Sequence, residues 1–82
     1  MHHINLKQMV YKDLNRLKVV LAEKKRTNKW LAEQLGKDQG TISKWCTNTS
    51  QPDIGTFVRI SKILNVKFED LIDEKYVESV IV

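Results

Sequence analysis

The chain has 82 residues, 41% of them hydrophobic and 29% charged, which allows one domain with a modest core and leaves no room for a catalytic domain beside a second module. No apolar run approaches the roughly 20 residues of a membrane span. The polar amino end lacks a secretory h-region, and the single cysteine, Cys46, can make no internal disulfide, so a cytoplasmic protein is expected. Charge is uneven: residues 1–52 carry ten Lys/Arg against four Asp/Glu (+6), and residues 53–82 carry four against six (−2), summing to the net +4. Such a bias favours a polyanionic partner for the basic amino-terminal part.

Residues Asn5 to Tyr11 either extend the first helix, through Leu6 and Val10, or form a separate arm. From Asp13 to Lys25, Leu14, Leu17, Val20 and Leu21 recur at three- and four-residue spacing with Lys18 and Lys24 opposite, which predicts an amphipathic helix. Thr27 is an N-cap for a second, short helix whose buried stripe is Leu31, Ala32 and Leu35. Gly36 follows the last apolar residue and permits the left-handed backbone of a sharp turn. Asp38 caps the third helix, Gln39 to Thr47, which buries Ile42 and Trp45.

The run Thr47-Asn48-Thr49-Ser50-Gln51-Pro52 is polar and reads as a loop. Asp53 caps a fourth helix with Ile54, Phe57, Val58, Ile60 and Leu64 on its buried face, and Asn65 is a left-handed stop. Phe68, Leu71 and Ile72 mark a last short helix. Tyr76 to Val82 (YVESVIV) is β-branched enough for a strand, or is an apolar tail that packs on the core or across a dimer.

Two helices joined by a short glycine-containing turn, in the stretch WLAEQLGKDQGTISKW from Trp30 to Trp45, describe a helix-turn-helix, whose second helix enters the major groove of DNA. Ala32 must be small where the third helix crosses it. Leu31, Leu35, Ile42 and Trp45 must point inward to fix the angle between the two helices. A helical hairpin with no ligand is the plain alternative.

The segments LAEQLG, TISKW, QPDIGTF and ILNVKFEDLI fall in register with the phage-repressor and Cro-like, or xenobiotic-response-element type, helix-turn-helix family, which the chain resembles from about Leu14 to Ile72. The resemblance implies an all-α, five-helix repressor-like fold, operator binding as a homodimer and transcription regulation. Within that resemblance, a phage repressor and a restriction-modification controller are both single-domain possibilities. The chain departs from the pattern at Asn28, where many members have glutamine. It departs again at Leu21 and Cys46, which stand where members often pair an arginine on helix one with a glutamate late in helix three. Packed apolar groups can replace a buried ion pair without loss, so Leu21 is expected against Cys46.

On such a fold the outward face of helix three offers Gln39, Gly40, Thr41, Ser43, Lys44 and Thr47 as base readers. Gln pairs with adenine, Lys donates to guanine, and Ser or Thr serves several bases. Gly40 allows close approach to a thymine methyl or the backbone. Phosphate contacts are expected from Thr27, Asn28 and Lys29 at the positive end of helix two and from Asn48, Thr49, Ser50 and Gln51 in the loop. Arg26 and Lys37 read as solvated. Trp30 packs on helix one or offers its indole N–H to a phosphate. His2 and His3 are adjacent at a chain end and read as incidental, so no metal or cofactor is expected. No Walker loop, ligand cluster or nucleophile and base pair suggests an enzyme. The expectation is one helix-turn-helix domain over residues 1–82, with core 12–73 and tails 1–11 and 74–82, and double-stranded DNA as partner. The alternative is a protein-interaction module, such as the antitoxin half of a toxin-antitoxin pair.

Overall fold

Thr27, Asp38 and Asp53 each sit one residue ahead of a helix with extended backbone, and each turns a side-chain oxygen back onto the chain. Thr27 Oγ1 accepts from Trp30 N at 3.0 Å, Asp38 Oδ1 from Thr41 N at 2.7 Å and Asp53 Oδ1 from Thr56 N at 2.7 Å. Each satisfies an N–H that the first helical turn leaves without a partner. In this computed structural model, which describes residues 13–75, the caps open α2 (Asn28–Leu35), α3 (Gln39–Cys46) and α4 (Ile54–Leu64). They follow α1 (Leu17–Glu23), and a 3-10 turn (Phe68–Leu71) comes after α4. Gly36 at φ 68° and Asn65 at φ 56° end α2 and α4 in the left-handed conformation that their residue types favour.

Buried side chains from every element meet in one core: Leu17, Val20 and Leu21 of α1; Leu31, Ala32 and Leu35 of α2; Ile42, Trp45 and Cys46 of α3; Phe57, Ile60 and Leu64 of α4; and Leu71. Phe57 meets Phe68 edge to face, with ring centroids 5.9 Å apart. Leu21 and Cys46 both lie in this core. The architecture is all-helical, and among the described residues there is no strand, only an isolated bridge between Asn15 and Ile72.

Several expectations need correction. The first helix begins at Leu17, not Asp13, because the backbone before it pairs across the molecule: Arg16 N donates to Leu71 O and Asp73 N to Leu14 O, each at 2.8 Å. It ends at Glu23, and Lys25 takes φ 56° to turn the chain. The fifth element is a four-residue 3-10 turn, because the bridge at Ile72 stops it from propagating. On α4, Ile54 (69% exposed) and Val58 (38% exposed) lie outside the core. The buried stripe there is Phe57, Ile60, Ser61 and Leu64, spaced i, i+3, i+4, i+7. The arm or helix extension at Asn5 to Tyr11 and the strand or tail at Tyr76 to Val82 lie outside the described residues. No helix among the described residues is long and apolar enough to cross a membrane.

Candidate nucleic-acid interface

Burying Ile42, Trp45 and Cys46 fixes which face of α3 is turned out. At 100° per residue, Gly40, Ser43, Lys44 and Thr47 fall opposite that stripe. All four are exposed, as is Gln39 in the first turn, while Thr41 on the flank is half-buried. Nothing in the described chain seals this ridge. Its eight residues rise about 1.5 Å each, giving roughly 12 Å of helix, comparable with the major-groove width.

The ridge carries its own electrostatics. The Thr41 backbone N–H, with help from the Thr41 side chain, holds the Asp38 carboxyl below the usual carboxylate range, and Lys44 adds a smaller pull in the same direction. Gly40 has a local reason to be glycine: an added Cβ would stand 3.2 Å from Asp38 Oδ1 and press on the cap. The Thr47 hydroxyl stays near the backbone, at 3.1 Å from Ser43 O, 3.2 Å from Lys44 O and 2.8 Å from Thr49 Oγ1.

At the start of α2, Thr27 and Lys29 are exposed and Asn28 is half-buried. Thr27 uses its oxygen on Trp30 N, which leaves its hydroxyl proton free to donate. Asn28 Oδ1 accepts from the Cys46 thiol at 3.5 Å, leaving its amide NH₂ as a donor. Burial pushes that thiol above its ordinary value, so Cys46 is a small core residue. Arg26 is exposed but does not stand free in solvent: its guanidinium lies 4.4 Å from the centroid of the half-buried Trp30 ring, adding a fixed cation beside the start of α2.

In the loop after α3, Thr49 and Ser50 are exposed and their backbone N–H groups converge on Lys44 O at 2.8 and 3.3 Å. Asn48 and Gln51 are engaged within the protein. Asn48 Oδ1 accepts from Asn15 N and from Gln51 Nε2, both at 2.9 Å, and Gln51 Oε1 accepts from Asn15 Nδ2 at 2.7 Å. Asn15 is the residue that sequence reasoning missed. A polar side chain two residues ahead of Leu17 was a capping signal, hidden by reading the first helix through it.

A family model described as helix-turn-helix matches residues 17–71, from the first residue of α1 to the end of the 3-10 turn. Among solved structures, the chain is similar to that of a candidate DNA-binding protein from Bacteroides fragilis, with 58% sequence identity and a TM-score of 0.72, covering 73% of this chain and 97% of that one. The comparison with curated proteins finds no match. With α2, the Gly36 turn and α3 inside the matched span, the chain belongs to the phage-repressor and Cro-type helix-turn-helix family of DNA-binding transcription regulators.

Proposed function

We propose that this protein is a sequence-specific regulator that binds double-stranded DNA as a homodimer, laying α3 in the major groove. The observation that carries this is the uncovered outward face of α3, where Gly40, Ser43, Lys44 and Thr47 are exposed opposite the buried stripe and Gln39 is exposed in the first turn. Gln39 and Lys44 supply the bidentate and charged base contacts, and Gly40, Thr41, Ser43 and Thr47 complete the reading face. Thr27, Asn28 and Lys29 at the start of α2, with Thr49 and Ser50 in the loop, hold phosphates and set register. The Bacteroides fragilis neighbour supports the same partner. Two copies would read half-sites about 34 Å apart, one helical turn.

Selection of bound duplexes from a random DNA pool tests this. The expected result is a pseudo-palindrome with that spacing, bound less tightly as salt rises, by about 0.9 log units per neutralised phosphate for each tenfold increase. A pool that stays random after repeated rounds refutes it. Removing Tyr76 to Val82 and measuring the oligomeric state tests whether that tail joins the copies.

A second reading, a module that covers a partner protein, draws on a different surface. Ile54 and Val58 are exposed one turn apart on α4, and Ile54 borders a groove lined by Leu14, Pro52, Phe57, Phe68 and Ile72. Binding there would be insensitive to salt, which separates the two readings.

A further inference from the structure

Asn15 is 3% exposed, yet all of its hydrogen-bonding groups are occupied. Its Oδ1 accepts from Leu17 N at 2.9 Å and so starts α1. Its Nδ2 donates to Trp45 O at 2.9 Å and to Gln51 Oε1 at 2.7 Å. Its backbone N–H donates to Asn48 Oδ1 at 2.9 Å, and its backbone oxygen accepts from Asn48 Nδ2 at 3.1 Å. One side chain therefore joins the entry of α1 to the last turn of α3 and to the loop beyond. The backbone on either side of it is tied to Leu71 and Asp73.

Trp45 O is among the last carbonyls of α3, which a helix leaves without intrahelical donors. Trp45 O also accepts from Asn48 N at 3.0 Å, and Asn48 at φ 59° turns the chain out of α3, so the Asn15 donor, fixed in the core, holds that turn in place against the entry of α1. Base reading demands such control, since side chains must be held to within about 0.5 Å of productive geometry. Asn48 and Gln51 each commit the amide oxygen and one amide N–H to this network, which fixes both side chains against the scaffold.

We propose that Asn15 is a positioning residue for DNA reading, and that Asn48 and Gln51 act on DNA through it rather than by holding phosphates. This rests on the DNA-binding reading above. The test measures dissociation constants of the full chain for a duplex selected from the random pool and for a scrambled duplex of equal length, using Asn15→Ser, Asn48→Ala, Gln51→Ala and the Asn15→Ser/Asn48→Ala double variant. Each single change should weaken the selected duplex roughly tenfold while moving the scrambled one less than about twofold, because base contacts lose alignment and phosphate contacts do not. The double variant should be no weaker than the weaker-binding single variant, the non-additivity expected of groups in one network. Additive losses, or equal losses on both duplexes, overturn the inference, since independent phosphate contacts would behave that way and so would general loosening of the fold. If Asn15→Ser does not fold, as circular dichroism would report, Asn48→Ala and Gln51→Ala decide alone by the ratio between the two duplexes. Failure of the wild-type chain to select any duplex instead sinks the DNA-binding reading and this inference with it.

Discussion

Replacing Gly36 by alanine isolates the energetic cost of the turn between α2 and α3. Gly36 has φ 68° and ψ 32°, and a Cβ built there meets nothing within 4 Å, so the substitution clashes with no neighbour. What remains is the left-handed backbone penalty of an L-residue, about 1–2 kcal/mol. Against it stands a gain of about 0.4–1 kcal/mol from the reduced freedom of the unfolded chain. The difference is a destabilisation of about 1 kcal/mol, or roughly 5 °C in melting temperature for a domain of this size. Thermal and urea unfolding followed by circular dichroism measure it. Gly36→Asn should cost less, because Asn65 already holds φ 56° at the equivalent place after α4. Below the melting transition the turn keeps its geometry, so affinity for a selected duplex should change less than about threefold. A loss above about 3 kcal/mol would mean that packing, which the open space denies, dominates the site. A gain in stability would mean that the left-handed turn is absent.

Lys44→Ala should weaken a selected duplex more than random DNA, whereas Lys29→Ala should weaken both alike and lower the salt slope by about one; equal behaviour of the two would remove the division between reading and positioning. Ile42 is fully buried on α3, so Ile42→Ala should cost about 2–5 kcal/mol, seen as a melting temperature lowered by more than about 10 °C. Asp38 and Asp53 both have carboxyls held below their ordinary range, chiefly by the backbone N–H groups of Thr41 and Thr56. Their caps therefore contribute fully above the unfolded-state value, and the contribution is lost as pH falls through the lowered folded-state values. The urea midpoint should hold from pH 7 to about pH 5 and drop below about pH 4. The Asp38→Asn/Asp53→Asn variant should drop less steeply, and an identical acid profile would count against the assignment.

What could be read from the sequence was local. Thr27, Asp38, Asp53, Gly36 and Asn65 act on groups within a few residues of themselves, so their identities alone placed three helix starts and two stops. The stripes Leu31, Ala32, Leu35 and Ile42, Trp45 repeat at helical spacing, and all five residues are buried. What periodicity and residue type did not show was mostly a partner far along the chain. Leu14 to Arg16 continue an amphipathic pattern, yet their backbone is drawn to Leu71 and Asp73. Asn48 and Gln51 look like free loop amides until Asn15, 33 and 36 positions away, is folded against them. Ile54 and Val58 carry apolar side chains past the edge of the core, which periodicity does not register. Within the candidate site, the outward face of α3 followed from its inward face, but the condition of the loop behind it did not.

The tie between α1 and α3 departs from the pattern the chain resembles. An arginine–glutamate pair joining the two helices would be a charged link. Here Leu21 and Cys46 are both buried, and the Cys46 thiol turns to Asn28 of α2. The polar link has moved to the end of α3, where the uncharged Asn15 amide reaches Trp45 O. An uncharged link in the core is neither titrated near neutral pH nor screened by salt. The placement of α3 should therefore be the same at low and high ionic strength. Any salt dependence of DNA binding then reports phosphate neutralisation alone, with no component from a shifting recognition helix. Proton shifts of the Ile42 and Trp45 side chains, followed by NMR from low salt to about 0.5 M in the absence of DNA, should stay fixed while affinity falls; core shifts that track the affinity would show that the link is electrostatic after all.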